Sequence, residues 1–161
     1  MIPDNLRAGR FVGEKKLYDK GVKITETAVG TLGPNQVRHD LASPDATPAI
    51  TATASSWSNP TELYTVPEGY HLIIYYFIVS LTAAQSGNYA DVKLLRRPKN
   101  GTSSDDKVVG RSSFASARSI TYPAGQLFKP GEKILLQFYN PYGSGTLTFN
   151  YFIHGIKEWL K

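Results

Sequence analysis

The stretch that most constrains the fold is residues 66–81, V-P-E-G-Y-H-L-I-I-Y-Y-F-I-V-S-L, where a Pro-Gly turn opens into the longest apolar run of the chain. β-Branched and aromatic side chains dominate the run; these lose rotamer freedom in a helix and pack well on a pleated surface. It therefore reads as a central β-strand. A membrane span would need about 20 consecutive apolar residues, and here the polar Thr82, Gln85 and Ser86 follow at once. No membrane partner is expected.

Turn residues punctuate the chain on both sides of that strand. Residues 61–66 read as a short strand, 67–69 as a turn in which Pro presets one corner and Gly supplies the open φ, and 70–81 as the long strand. Residues 89–97, Y-A-D-V-K-L-L-R-R, alternate and stop at Pro98, which cannot donate to a sheet ladder. Asn100-Gly101 is the dipeptide of two-residue hairpin turns, set in a polar loop that runs to Asp106. Short strands are expected at 107–111 and 114–122, with Pro123-Ala124-Gly125 and Pro130-Gly131-Glu132 turning the chain. A strand over 133–139 precedes a closing strand over 146–156, which alternates Leu147, Phe149, Tyr151 and Ile153 against Thr148, Asn150, Phe152 and His154. The segment K-P-G-E-K-I-L-L at 129–136 echoes V-P-E-G-Y-H-L-I-I at 66–74, each placing a Pro-Gly turn before an apolar strand. Roughly eight strands without helical periodicity predict an all-β, antiparallel β-sandwich, jelly-roll-like, with the two echoing segments as central strands.

The first 59 residues differ. Only 22–29, V-K-I-T-E-T-A-V, alternates as a half-buried strand would, while 1–20 and 30–40 carry few large apolar residues and read as an extended arm. Residues 41–59 are rich in Ala, Ser, Thr and Pro, the composition of a linker or long loop, with Trp57 as the one heavy anchor. Trp57 is expected to staple that loop to the core, a ligand-stacking role being the alternative. The expected division is an extended N-terminal arm and loop over 1–59 and a β-sandwich domain over 60–161. Trp159, so near the end, suggests a terminus that is tied down.

Composition narrows the function classes. With 161 residues, 41% of them hydrophobic, the chain can bury a real core, and the absence of cysteine rules out disulfides and thiolate metal sites. The start M-I-P-D-N-L-R-A-G-R-F has no apolar run after its charges and does not read as a secretory signal. No metal-ligand spacing joins His39, His71 and His154, and no G-x-S-x-G accompanies the Ser-rich 111–116. Asp105, Asp106, Glu62, Glu68 and Glu132 fall at loops and turns. No enzyme, cofactor or metal is expected.

Binding is better supported. The net charge of +5 suits either an acidic partner or plain solubility, and without a nucleic-acid motif direct nucleic-acid binding is not expected. Lys93, Arg96, Arg97, Lys99, Lys107, Arg111 and Arg118 face only Asp105 and Asp106 within 93–118, whether as a binding patch or as a solvated sheet face. Tyr75, Tyr76, Tyr139, Tyr142 and Tyr151 suit either an interface or a Tyr-bearing core. Asn100-Gly101-Thr102 also fits an N-glycosylation sequon, although the turn explains it.

The V-P-E-G-Y turn-to-strand, the late F-K-P-G-E-K-I-L-L-Q-F-Y-N strand and the closing G-T-L-T-F-N-Y-F-I-H-G strand together resemble the decoration (cement) proteins of tailed-phage capsids, over roughly residues 60–157. The resemblance is one of pattern and carries no diagnostic motif. It implies a β-sandwich that sits as a homotrimer on the outer surface of a virion assembled in the host cytoplasm, binds the major capsid protein and stabilises the shell. It further implies inter-subunit contacts by the arm and loop over 1–59. The expected partner-binding residues are Arg7, Arg10, Phe11, Lys15 and Tyr18 in the arm and Arg96, Arg97, Lys99, Arg111 and Arg118 in the basic region. The competing readings are a carbohydrate- or receptor-binding jelly roll that stacks sugars on Trp57, Tyr64 and Tyr142, and a self-assembling filament subunit whose arm adds a strand to the next copy.

Overall fold

The computed structural model describes residues 32–42, 50–81 and 88–160. Ten strands lie among them: β1 (Gln36–Ala42), β2 (Ile50–Thr53), β3 (Ser56–Trp57), β4 (Thr61–Thr65), β5 (Tyr70–Leu81), β6 (Ala90–Arg97), β7 (Lys107–Phe114), β8 (Ala117–Phe128), β9 (Lys133–Asn140) and β10 (Thr146–Trp159). They form two antiparallel sheets. The first runs β1-β10-β5-β8 with β2 also on β10; the second runs β3-β9-β6-β7 with β4 also on β9. β1 lies beside residues 152–158 of β10 and β2 beside residues 146–149, so the two short strands follow one another along one edge. β3 and β4 share the edge of β9 in the same way. With each pair taken as one position, the sheets read 1-8-3-6 and 2-7-4-5. This is the double Greek key of a jelly roll, as the strand spacing and the two turn-strand units predict.

Burial follows the pleat. On β5 the buried side chains are Leu72, Ile74, Phe77, Val79 and Leu81, and on the adjacent β10 Leu147, Phe149, Tyr151 and Ile153 lie beside them on the same inner face. Phe138 of β9 stacks on Phe149, with ring centroids 4.3 Å apart and planes at 15°, and Phe114 meets both edge-on. That trio joins the two sheets. Burying such rings at about 25 cal/mol per Å² of apolar surface is the main stabilising contribution.

The two echoing turns lie side by side. Val66 N–H donates to Glu132 O at 2.9 Å and Gly131 N–H donates to Val66 O at 2.8 Å, with Gly69 and Gly131 at φ 80° and 77°. Near this end the last strand is held: Trp159 N–H donates to Asn35 O, its Nε1 donates to Tyr70 Oη at 2.6 Å, and Leu160 N–H donates to Gly69 O.

Several expectations are corrected. Residues 36–57 supply β1, β2 and β3, so part of the expected arm and loop is sheet, and the division at 59/60 falls between two strands that share β9. These strands lack a sustained alternation of large apolar residues; the ladder offered by β10 and β9 holds them, and local propensity does not. Pro123-Ala124-Gly125 is not a turn between strands. β8 runs through it to Phe128, with four residues bulged between the Tyr76↔Thr121 and Ile74↔Gln126 pairings. Proline is tolerated there because β8 is an edge strand, and Gly125, at φ 74°, packs against Ile73 and Tyr75. Asn100-Gly101 does not make a two-residue hairpin. Gly101 N–H donates to Pro98 O across a turn with Asn100 at φ 63°, and a 3-10 turn at Ser103–Asp105 completes a longer loop to β7. The expected strand at 22–29 lies outside the described residues.

Candidate protein-interaction face

The outer face of the second sheet gathers one side chain or more from each of its adjacent strands. Antiparallel register puts Trp57, Tyr139, Asp91 and Ser113 in one row, from β3, β9, β6 and β7 in turn, and Gln137, Lys93 and Arg111 in the next. Phe138 and Val92, between them on β9 and β6, are fully buried, so these rows face outward. Lys93 Nζ stands 3.7 Å from the centroid of the Trp57 ring and the Arg111 guanidinium carbon 5.8 Å from it. Tyr139 leans on the same indole, 5.4 Å between centroids at 45°.

Asp91 sits between the cations. Arg111 Nη2 donates to its Oδ2 at 2.9 Å and Ser113 Oγ donates to its Oδ1. Burial opposes ionisation of this carboxyl, but the hydrogen bonds from Ser113 and Arg111 and the charges of Arg111 and Lys93 outweigh it and hold it below the usual carboxylate range. Lys93 itself has no carboxylate among the described residues within ion-pair distance. Further along the face, Leu135 and Leu95 are buried beside the exposed Val108. Beyond them lie two ion pairs, Arg97 with Asp106 at 2.6 and 2.8 Å in a bidentate fork, and Lys133 with Glu62 at 2.8 Å. Hydrogen bonds from Lys133 and Thr65 hold the Glu62 carboxyl below its ordinary range against a small burial cost.

The expected partner-binding residues are thus dispersed. Arg111 lies on this face, and Arg97 lies there too but is spent on Asp106. Arg96 points the other way, over the Phe128 ring, donating to Leu127 O and pairing with Glu132 at 3.5 Å, so it latches one sheet to the other. Lys99 pairs with Glu68 at the turn end, and Arg118 lies on β8 in the first sheet. Arg7, Arg10, Phe11, Lys15 and Tyr18 lie outside the described residues. Trp57, expected mainly as a staple, and Lys93 are the residues that the fold brings to the centre of the face. Their places in adjacent rows are set by strand pairing across more than thirty positions of sequence, which no local pattern signals.

The aromatics of the sugar-stacking reading do not share a face. Tyr64 packs on the core against His39 at 4.4 Å between centroids, and Tyr142 is half-buried in the 140–145 connection, where its N–H donates to Asn140 Oδ1. Two histidines are tied into the fold: His39 packs on Tyr64, and buried His154 pairs through Nδ1 with Asp40 at 2.7 Å and stacks on Tyr76. Among the described residues no three His, Asp or Glu side chains converge as a metal set.

No protein-family model and no curated protein sequence matches the chain. Among solved structures it is similar to the disulfide-linked pili of Bacillus endospore appendages, at 12% identity and TM-score 0.37, covering 87% of this chain and all of that one. It is also similar to a protein of infectious bursal disease virus, Gx strain, at 9% identity and TM-score 0.48, covering 86% of this chain. This chain spans only 36% of that one. A third likeness is to the virus-like particle of Macrobrachium rosenbergii extra small virus, at 12% identity and TM-score 0.34, covering 87% and 90% of the two chains. With TM-scores below 0.5 these likenesses carry no functional weight, and the jelly roll stands on its own strand order.

Proposed function

We propose that the chain is a structural component of a virion that binds the major capsid protein on the outer surface of the shell and stabilises it as a decoration or cement protein. The observation that carries this reading is the outer face of the second sheet, where Trp57, Tyr139, Lys93 and Arg111 stand side by side on adjacent strands. Trp, Tyr and Arg are the residue types that dominate the energetics of protein interfaces. Strands hold them in place, so little ordering entropy is lost on docking. A ligand that binds the assembled shell and not its free subunits stabilises the shell by mass action, and a closed oligomer such as a homotrimer multiplies that effect through avidity. Virus particles purified on a density gradient from the cells that make this chain should contain it at a fixed copy number per capsid protein. Recovery of the chain only in the particle-free fraction would refute the proposal.

A further inference from the structure

We infer that the Trp57–Lys93–Arg111 cluster is a receptor for carboxylates, and that its ligand is an acidic polypeptide segment. The inference deepens the proposed docking role and rests on it for the identity of the partner, but the site can be tested without capsids. Two cations share one indole here, with a single carboxylate between them. Arg111 and Ser113 already engage Asp91 by hydrogen bonds, whereas among the described residues the close contact of the Lys93 ammonium is with the ring. The aromatic contact positions the ammonium without using its hydrogen-bond donors. The local balance of Lys93, Arg111 and Asp91 is one positive charge in excess, held by strands on a fixed floor, which is the complement of an incoming carboxylate.

The same geometry argues against the other anionic and stacking ligands. Bases and sugars bind aromatic side chains through an open ring face. Lys93 lies over the Trp57 ring and Tyr139 leans against it, so stacking would have to displace both. A phosphodiester chain brings a charge at every residue and would meet Asp91 as well as the cations. An acidic polypeptide brings carboxylates at intervals and can place one against Lys93 and the outward side of Arg111. Its backbone and apolar side chains would then run along Tyr139 and towards the exposed Val108.

The test uses the full chain carrying Trp159→Phe, which leaves Trp57 as the one remaining tryptophan of the two. Poly-L-glutamate and oligothymidylate of equal length are titrated at equal ionic strength while Trp57 emission is followed. Polyglutamate should give a saturable change that weakens with salt. Lys93→Ala and Arg111→Ala should each weaken it by about fivefold, the upper end for an exposed ion pair. Arg118→Ala, which removes the same charge from the other sheet, should leave it unchanged. Polyglutamate binding that ignores Lys93 and Arg111, or tighter binding of oligothymidylate, overturns the inference. Virion association is scored separately. A chain that binds polyglutamate through these residues but is absent from particles keeps the carboxylate site and loses the capsid reading. A chain present on particles whose polyglutamate binding is indifferent to Lys93 and Arg111 does the reverse.

Discussion

The Phe114, Phe138 and Phe149 trio is the sharpest point at which to test how the two sheets are joined. Phe138 and Phe149 are both fully buried, and each belongs to a different sheet. Phe149→Ala removes a ring that stacks on Phe138 at 4.3 Å and meets Phe114 edge-on at 6.1 Å. Truncation of a fully buried Phe costs about 3–5 kcal/mol, made up of lost transfer energy and the cavity left behind. The lost aromatic contacts place this site near the middle of that range or above, about 4 kcal/mol. For a domain of this size each kcal/mol lowers the melting temperature by about 2–4 °C, so the expected drop is roughly 8–16 °C. The assay is urea unfolding followed by circular dichroism, with calorimetry for the melting temperature. A cycle of Phe138→Leu and Phe149→Leu should show a coupling of about 0.5–1.5 kcal/mol beyond additivity. Phe128→Leu is the control: Phe128 pairs with Leu72 and Phe149 with Leu81, which puts them about 30 Å apart along β5 at a strand rise of ~3.3 Å per residue. It should be additive with Phe149→Leu. A cost for Phe149→Ala below about 1.5 kcal/mol at unchanged m-value, or zero coupling between Phe138 and Phe149, would refute the packing of the sheets described here.

Two further outcomes follow from particular residues. Burial of the His39 ring against Tyr64, followed by the charge of Lys157, depresses the pKa of His39 below 6.5 against the opposing pull of Asp40. The unfolded chain therefore binds the proton more readily than the folded one, so the stability His39 contributes is complete above about pH 6.5 and is lost as pH falls below that value. Chemical unfolding between pH 7.5 and 5 should show stability falling with acid, and His39→Leu should flatten that slope; an unchanged slope would remove His39 as the cause. At the β8 bulge, Gly125→Ala meets both a left-handed φ of 74° and the Ile73 side chain, whereas Gly145→Ala meets only a left-handed φ of 81° with open space around it. Gly125→Ala should cost about 3 kcal/mol and Gly145→Ala about 1 kcal/mol, and equal losses in thermal unfolding would mean that the bulge is not packed on Ile73.

What the sequence determined by itself is the scaffold. The apolar run before Leu81, the period of two from Leu147 to Ile153 and the pair of Pro-Gly turns define the inner strands, because large β-branched and aromatic side chains at alternate positions have one good solution, a face turned to a shared core. Expected strands at 70–81, 61–66 and 133–139 differ from the observed ones by a residue at most. Tertiary structure decided the edges. β1, β2 and β3 carry no run of alternating large apolar residues that would hold a strand on its own, and gain their ladder where β10 and β9 offer free N–H and C=O groups. β8 passes through a Pro-Ala-Gly segment that reads locally as a turn, because an edge strand can bulge without breaking a ladder on its open side. Tertiary structure also decided the fate of the charges. The composition counts Arg96, Arg97, Lys99 and Arg111 alike, but folding brings Glu132, Asp106, Glu68 and Asp91 to them from other strands and turns, and sets Lys93 on Trp57 instead. Charge is a property of each residue and is visible in the sequence; its neutralisation depends on distances of a few ångströms between residues far apart in the chain, and only strand register sets those.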